Sequence, residues 1–104
     1  MRIINTMEEL NEIINSNVPS MIDFYADWCG PCRVIAPYVE EIAEAFAGKA
    51  NVVKVNVETL PDAASLFAVT GVPTIAYVKG GKEFHHLVGY CNKKTLVDTL
   101  LTIL

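Results

Sequence analysis

Apolar residues recur at helical spacing, every third or fourth position, in four segments of the chain. Thr6 is a candidate N-cap, and Glu9 completes its capping box. Pro61 is favoured in the first turn of a helix, and Asn92 is a second candidate N-cap. The predicted helices cover residues 7–15, about 29–47, 61–69 and a final segment that buries Leu96, Leu100 and Ile103 or Leu104.

Strand-like patterns fill the intervals between these helices. Residues 18–26 are apolar on both faces, which is typical of a central strand with neighbours on either side, and only Asp23 interrupts them. Gly80-Gly81 is a strong signal for a two-residue hairpin. The predicted strands are residues 2–4, residues 18–26, a third in which Val53, Val55 and Val57 alternate with Lys54, Asn56 and Glu58, and a hairpin pair at residues 74–78 and 82–88.

The predicted order of elements is βαβαβ followed by αββα. Helical crossovers connect the first strands, which must then pair in parallel, whereas the glycine turn forces the last two strands to pair antiparallel. The chain is therefore predicted to be an α/β protein with a mixed sheet sandwiched by helices. Its binding site is expected at the carboxyl end of a central strand, where residues 18–26 meet the second helix.

The composition is that of a single domain, residues 1–104, large enough for one core. Its 52% hydrophobic and 19% charged residues exclude a disordered chain. The net charge is −4 and there is no basic run, which argues against nucleic acid or an anionic membrane as a partner. No apolar run is long enough to span a bilayer, and the first residues do not have the pattern of a signal peptide.

Three cysteines are too few, and odd in number, for a disulfide framework, so we expect a reducing compartment, the cytoplasm. In that setting the Cys29-Gly30-Pro31-Cys32 motif is expected to be catalytic or metal-binding. A thiol at the start of a helix meets unsatisfied N–H groups and the positive end of the helix dipole, which stabilise its thiolate. We expect Cys29 to be an exposed attacking thiol, and Cys32, one turn further, to be a more buried resolving thiol.

The alternative for this dithiol is half of a zinc site, which requires four ligands. Cys91, His85 and His86 could in principle supply the others. His85 and His86 are neighbours on a strand and would point to opposite faces, which disfavours zinc. We expect no metal at the motif.

The motifs also resemble those of a known family. The Trp28-Cys29-Gly30-Pro31-Cys32 run and the distant Val72-Pro73 are similar to the motifs of the thioredoxin family. The resemblance extends along nearly the whole chain, through Asp23-Phe24, Ala26, Pro37, Lys54, Asn56, Gly71, Thr74, Gly81 and Gly89. It implies a thioredoxin fold, in which a five-stranded sheet of order 1-3-2-4-5 with an antiparallel last pair is flanked by four helices. It also implies a general protein-disulfide reductase.

The resemblance further implies the electron source and the partners. Thioredoxin reductase would re-reduce the oxidised chain with electrons from NADPH, no cofactor would be bound, and diverse disulfide-containing proteins would be the targets. We expect a monomer that carries electrons in redox homeostasis. One alternative is a glutathione-linked glutaredoxin-like protein, whose usual Cys-Pro-Tyr-Cys motif is absent. Another is a non-catalytic regulatory subunit that uses the fold to bind a partner.

The resemblance also assigns roles around the dithiol. Asp23 matches a residue that relays the proton of the second cysteine, so it is expected to be the general acid/base for Cys32, with Lys54 as its electrostatic modulator. Burial should raise the pKa of Asp23, although a solvated or paired carboxylate at a strand end is the alternative. The spacer Gly30-Pro31 is expected to tune the redox poise, because Pro31 brings neither an N–H group nor a charge to the Cys29 thiolate.

A flat apolar surface for docking partner proteins is expected around the dithiol. By resemblance the Val72–Pro73 bond is cis, and the main chain at Val72 pairs with an extended substrate segment. From the residues alone, Pro73 could simply initiate a strand and Trp28 could belong to the core. The expected surface comprises Trp28, Gly30, Val72, Pro73, Val88 and Gly89.

Three residues depart from the family pattern. Tyr25 stands where many members carry Trp, which keeps an aromatic body and adds a hydroxyl near Asp23. Arg33 replaces a frequent Lys and preserves the charge. Cys91 is outside the pattern and is expected either to pack as a small apolar residue before the last helix or to be an accessible thiol, open to modification or disulfide dimerisation.

Overall fold

The computed structural model describes all residues, Met1–Leu104, as a mixed five-stranded sheet with four helices. The elements are β1 (Arg2–Ile3), α1 (Met7–Asn15), β2 (Ser20–Tyr25), α2 (Gly30–Ala45), β3 (Asn51–Asn56), α3 (Pro61–Leu66), β4 (Thr74–Lys79), β5 (Lys82–Val88) and α4 (Lys93–Leu101). The strand order is β1-β3-β2-β4-β5, with β3 parallel to both β1 and β2, and β4 antiparallel to both β2 and β5. The predicted fold class and strand order are confirmed. None of the four helices is both long and apolar enough to cross a membrane.

Each face of the sheet is covered by a pair of helices. Ile22 and Phe24 of β2 pack with α1 and α3 in one core, whereas Met21 packs with α2 and α4 in the other. Because successive side chains of a strand point to opposite faces, Asp23 and Tyr25 lie on the same face as Met21. The carboxylate of the central strand is therefore on the face that α2 covers.

The helix starts follow the predicted capping signals. The Thr6 side chain accepts a hydrogen bond from the N–H group of Glu9 at 3.2 Å, and Asn92 accepts one from Thr95 at 2.8 Å. The Glu9 carboxylate accepts a bond from the N–H group of Asn5 at 3.3 Å, one residue before the cap. This hydrogen bond is the largest of the contacts that lower the pKa of Glu9.

Some boundaries differ from the predictions. β2 begins at Ser20, because Pro19 before it has no N–H group to donate to a neighbouring strand. α2 ends at Ala45 and α3 at Leu66, and each is shorter than its apolar pattern suggested. The alternation in β3 is typical of a half-exposed strand, but Asn56 is buried, and its side-chain oxygen accepts hydrogen bonds from the N–H groups of Glu58 and Thr59 in the turn that follows.

The predicted hairpin turn is present at Gly80 and Gly81, with φ angles of +59° and +83°. Such positive φ angles favour glycine. The two N–H groups donate hydrogen bonds of 2.8 Å to the carbonyl oxygens of Ser16 and Ile14. The turn therefore satisfies carbonyls at the carboxyl end of α1 as well as joining β4 to β5.

Candidate active site

The two motif cysteines lie where β2 meets α2, at the predicted carboxyl end of a central strand. Cys29 is the N-cap of α2, and its sulfur accepts a hydrogen bond of 3.2 Å from the N–H group of Cys32. The two residues form a disulfide, with their Cα atoms 5.3 Å apart. Gly30 and Pro31 form the intervening first turn, in which Pro31 is exposed. The site is thus present in its oxidised form.

Both cysteines are buried, with exposed fractions of 3% for Cys29 and 5% for Cys32. The expectation of an exposed Cys29 and a more buried Cys32 is therefore wrong for this oxidised form. The disulfide lies in a small apolar cluster with Ala26, against which Val57 and Val72 pack. Residues distant in sequence cover the sulfurs, and no local pattern at the motif signals this cover.

Asp23 lies deep in the sheet. Its side chain is inaccessible to solvent, and neither carboxyl oxygen has a hydrogen-bond partner in the protein. Burial raises the pKa of Asp23 to about 6, and the nearby positive charge of Lys54 partly offsets that rise. The expected direction of the pKa shift is confirmed, and the alternative of a solvated or paired carboxylate is wrong.

Lys54 is the partner of Asp23 across the β2–β3 pair. Its ammonium lies 4.3 Å from the centroid of the Tyr25 ring and forms no ion pair. Lys54, Tyr25 and Cys32 line one cleft of about 180 Å³ with Ala26, Asp27, Arg33 and Ala36. Lys54 is half-buried in this cleft, so describing it as merely the exposed side of a strand would be wrong.

The loop before β4 lies against the disulfide. The Val72–Pro73 peptide bond is cis, as the resemblance implies, and Val72 packs against the cysteine cluster. Pro73 is itself buried, so it contributes less to the expected docking surface than predicted. Its carbonyl oxygen accepts a hydrogen bond of 2.8 Å from the N–H group of Gly89. Val88 pairs with Thr74 across the β4–β5 hairpin. The predicted residues of this loop and of the end of β5 are therefore brought together.

Exposed apolar side chains surround the disulfide. Trp28 is 67% exposed and Val88 is 57% exposed, so Trp28 does not belong to the core. A groove of about 410 Å³ runs from Trp28 along α3 to Val72. Val57 and Val72, which line this groove, also pack against the cysteine cluster.

The residues considered for zinc have other neighbours. His85 is hydrogen-bonded to Thr102, and His86 to Glu83, each at 2.9 Å. Cys91 is half-buried, carries no disulfide and packs at the margin of the core formed with α2 and α4. No three His, Cys, Asp or Glu side chains form a cluster that could hold a metal ion.

Sequence reasoning assigned Tyr25 no role beyond packing. The structure places its ring against Lys54, in the cleft that Cys32 also lines. The available signal was the strand period, since Tyr25 is two residues after Asp23 and must share its face.

Comparison with known proteins agrees with this geometry. A sequence model of the family called Thioredoxin matches residues 2–102. The chain is 46% identical over 89 residues to thioredoxin 1 of Nostoc sp., a match that covers 86% of this chain and 83% of that protein. It is 40% identical over 99 residues to the thioredoxin of Alicyclobacillus acidocaldarius, covering 95% and 94% of the two chains. The X-ray structure of Fasciola hepatica thioredoxin superposes over 100% of both chains with a TM-score of 0.91 and 36% identity.

Proposed function

Because this chain belongs to the thioredoxin family and is a protein-disulfide reductase, we propose that Cys29 is its attacking thiol and Cys32 its resolving thiol. The observation that carries this assignment is the hydrogen bond from the N–H group of Cys32 to the sulfur of Cys29. Cys29 also lies at the positive end of a 16-residue helix. Negative charge is therefore stabilised at Cys29 when the pair is reduced, and thiolates are the nucleophiles of disulfide exchange.

The reaction proceeds in two exchanges. In the first, the Cys29 thiolate attacks one sulfur of a target disulfide, so that a mixed disulfide forms and the other target sulfur leaves as a thiolate. In the second, Cys32 loses its proton and attacks the sulfur of Cys29, which releases the second target thiolate. Two electrons reach the target, whose two thiolates take up the one proton given up by Cys32 and one proton from solvent, and the chain is left with the Cys29–Cys32 disulfide.

Asp23 is the group that takes the proton from Cys32. It lies on the face of β2 that α2 covers, its carboxyl oxygens have no other partner, and its pKa of about 6 lies close to neutral pH. A base is most effective when its pKa lies near the working pH. Lys54 acts on this step through its charge, which opposes the effect of burial on the pKa of Asp23.

The residues around the disulfide determine whether the pair acts as a reductant and which proteins it reduces. The spacer Gly30-Pro31 adds no charge beside Cys29, which favours a reducing pair. The docking surface, which combines exposed Trp28 and Val88 with half-buried Gly30, Val72 and Gly89 beside the buried Pro73, receives an extended segment of the target protein. Pairing with the main chain at Val72 needs no particular side chain, so it suits diverse disulfide-containing proteins.

The oxidised chain is recycled by an NADPH-dependent thioredoxin reductase, and it binds no cofactor of its own. A monomer acting in the cytoplasm fits this cycle, because the dithiol must be returned to its reduced form after each turnover. Its acidic character, with a net charge of −4, favours protein partners over nucleic acid or anionic membranes.

The test compares three cysteine variants in an assay of disulfide reduction with NADPH and thioredoxin reductase. We expect no turnover for Cys29→Ser, trapped mixed disulfides for Cys32→Ser, and normal turnover for Cys91→Ser, the matched control. Turnover by Cys29→Ser would refute the assignment. Normal cellular function of a chain without both thiols would instead favour a non-catalytic subunit.

Asp23 is tested by the same assay resolved into its two steps. Asp23→Asn should slow the release of the mixed disulfide more than its formation, because only the release requires the proton of Cys32 to be removed. An unchanged release rate would remove Asp23 from the mechanism.

A further inference from the structure

The side chain of Lys54 is held by an aromatic ring rather than by an anion. Its ammonium lies 4.3 Å from the centroid of the Tyr25 ring, within the range of a cation–π interaction. It forms neither a side-chain hydrogen bond nor an ion pair, although Asp23 is directly opposite it across the sheet. A lysine side chain on four flexible carbons would otherwise sample many positions.

Three strand positions produce this arrangement. Asp23 and Tyr25 point to the same face of β2, and Lys54 is the β3 partner of Asp23. Tyr25 is two residues closer than Asp23 to the carboxyl end of β2, where the cysteines begin α2. The Tyr25 ring therefore lies against Lys54 in the cleft that Cys32 also lines.

We propose that Tyr25 is a positioning residue for disulfide reduction, whose ring holds the Lys54 ammonium on the wall of the Cys32 cleft at a fixed place beside Asp23. This inference rests on the proposed role of Asp23 in taking the Cys32 proton. Since Coulomb energy depends on separation, a fixed ammonium gives Asp23 a steady field, whereas a mobile one would spend part of its time in water.

The other charged groups at the cleft do not replace Lys54. Arg33 of α2 is engaged elsewhere, because its guanidinium donates a hydrogen bond of 2.7 Å to the carbonyl of Asp27. Asp27 itself is exposed and carries the opposite charge. Burial, followed by the charge of Asp27, raises the pKa of Tyr25 above its usual value, so its hydroxyl stays neutral while Asp23 titrates.

The experiment is an NMR titration of the Asp23 carboxyl in the oxidised protein, which needs no turnover. It compares wild type, Tyr25→Leu, Lys54→Met and the double variant. We expect the pKa of Asp23 to rise in Tyr25→Leu by on the order of half a unit, because the freed ammonium moves into water. The same substitution in the Lys54→Met background should give a smaller rise, since no ammonium remains to be released.

Tyr25→Phe is the matched control, because it keeps the ring and removes only the hydroxyl. Its Asp23 titration should follow wild type, and its mixed-disulfide release should keep the wild-type pH profile, whereas in Tyr25→Leu that profile should move with the pKa of Asp23. The proposal would be overturned if Tyr25→Leu raised the pKa of Asp23 as much or more in the Lys54→Met background as in the wild-type background. It would also be overturned if Tyr25→Leu alone left the pKa of Asp23 unchanged or lowered it.

A measurement on the wild-type protein covers the case in which Tyr25→Leu does not fold. Protons of the Lys54 side chain near the ammonium should be shifted upfield by the Tyr25 ring current, and ordinary lysine shifts would overturn the proposal. Because the titration and these shifts are independent of catalysis, they can fail while disulfide reduction proceeds normally. Conversely, a failure of the cysteine assay leaves their outcome unchanged.

Discussion

Asp23 is the residue at which stability and the proposed function oppose one another. A carboxyl group with no access to water and no hydrogen-bond partner is a costly group to place in a core when it is ionised. The same burial raises the pKa of Asp23 to about 6, which suits a group that accepts a proton near neutral pH. A wholly apolar residue would pack more favourably here, but it would not perform the proton exchange with Cys32 that we propose for Asp23.

Asp23→Asn should therefore stabilise the oxidised protein in a pH-dependent way. Below pH 3.8 Asp23 is protonated whether the chain is folded or unfolded. Between pH 3.8 and about 6 the unfolded chain loses the proton and the folded chain keeps it, so wild-type stability falls as pH rises. The free energy of unfolding of Asp23→Asn relative to wild type should increase by about 2 kcal/mol between pH 4 and pH 8.

The measurement is denaturant unfolding of the oxidised proteins at several pH values. Asp27→Asn is the matched control, because Asp27 is exposed and its substitution leaves the buried carboxyl in place. A stability difference between Asp23→Asn and wild type that does not vary with pH would contradict the expectation.

For single residues, the sequence predicts the chemical character of a side chain better than its exposure to solvent. A single carboxylate in an apolar central strand is enough to indicate that Asp23 is buried with a raised pKa. The burial of Cys29 could not be predicted in the same way, because Val57 and Val72 provide its cover from loops far along the chain. The cation–π contact of Lys54 likewise depends on which strand lies beside β2.

At the scale of elements, local signals set where helices and turns begin. Thr6 predicts the first residue of α1, and the glycine pair predicts the hairpin between β4 and β5. The ends of α2 and α3 were harder to predict, because an apolar pattern can continue beyond the last helical turn. The burial of polar Asn56 was also missed, because its side-chain oxygen is satisfied by N–H groups of the turn after β3, which the strand alternation does not reveal.

The hairpin turn gives the prediction at this scale. Gly81→Ala should lower the free energy of unfolding by about 1–2 kcal/mol, since alanine is strained in the left-handed region. Gly81 has a φ of +83°, and an added Cβ would lie 3.2 Å from the Asn15 side chain. Gly30→Ala is the control, because no atom lies within 4 Å of its added Cβ and it occupies the first residue of α2. Denaturant unfolding should show Gly30→Ala unchanged or stabilised by at most about 1 kcal/mol, and equal stability losses in both variants would contradict the argument.

At the scale of the whole molecule, the strand order brings the site together. The order β1-β3-β2-β4-β5 places β2 between β3 and β4, so that Lys54 from one neighbour and the loop before the other meet the cysteines. The apolar pattern indicates that residues 18–26 form a central strand, but periodicity and crossover rules do not fix which strands lie beside it. The resemblance to a family supplied that order, and the structure confirms it.

Helix α4 contributes to the stability of the molecule but does not contact the dithiol site. Leu100 of α4 is fully buried in the core between the sheet and α2, whereas the next residue, Leu101, is 51% exposed. No residue of α4 lies in the cluster around the disulfide or lines the cleft beside Cys32. Changes at Leu100 should therefore weaken the support of the sheet while leaving the reacting groups in place.

Leu100→Ala should lower the free energy of unfolding by about 3 kcal/mol, because it removes buried methyl groups and leaves a cavity. Leu101→Ala, on the same helix, should change it by no more than about 0.5 kcal/mol. Both variants should reduce a protein disulfide at the wild-type rate at a temperature where circular dichroism shows them to be folded. A slower rate for folded Leu100→Ala would mean that α4 acts on the dithiol through α2, and that the chemistry depends on the packing of the entire sheet face.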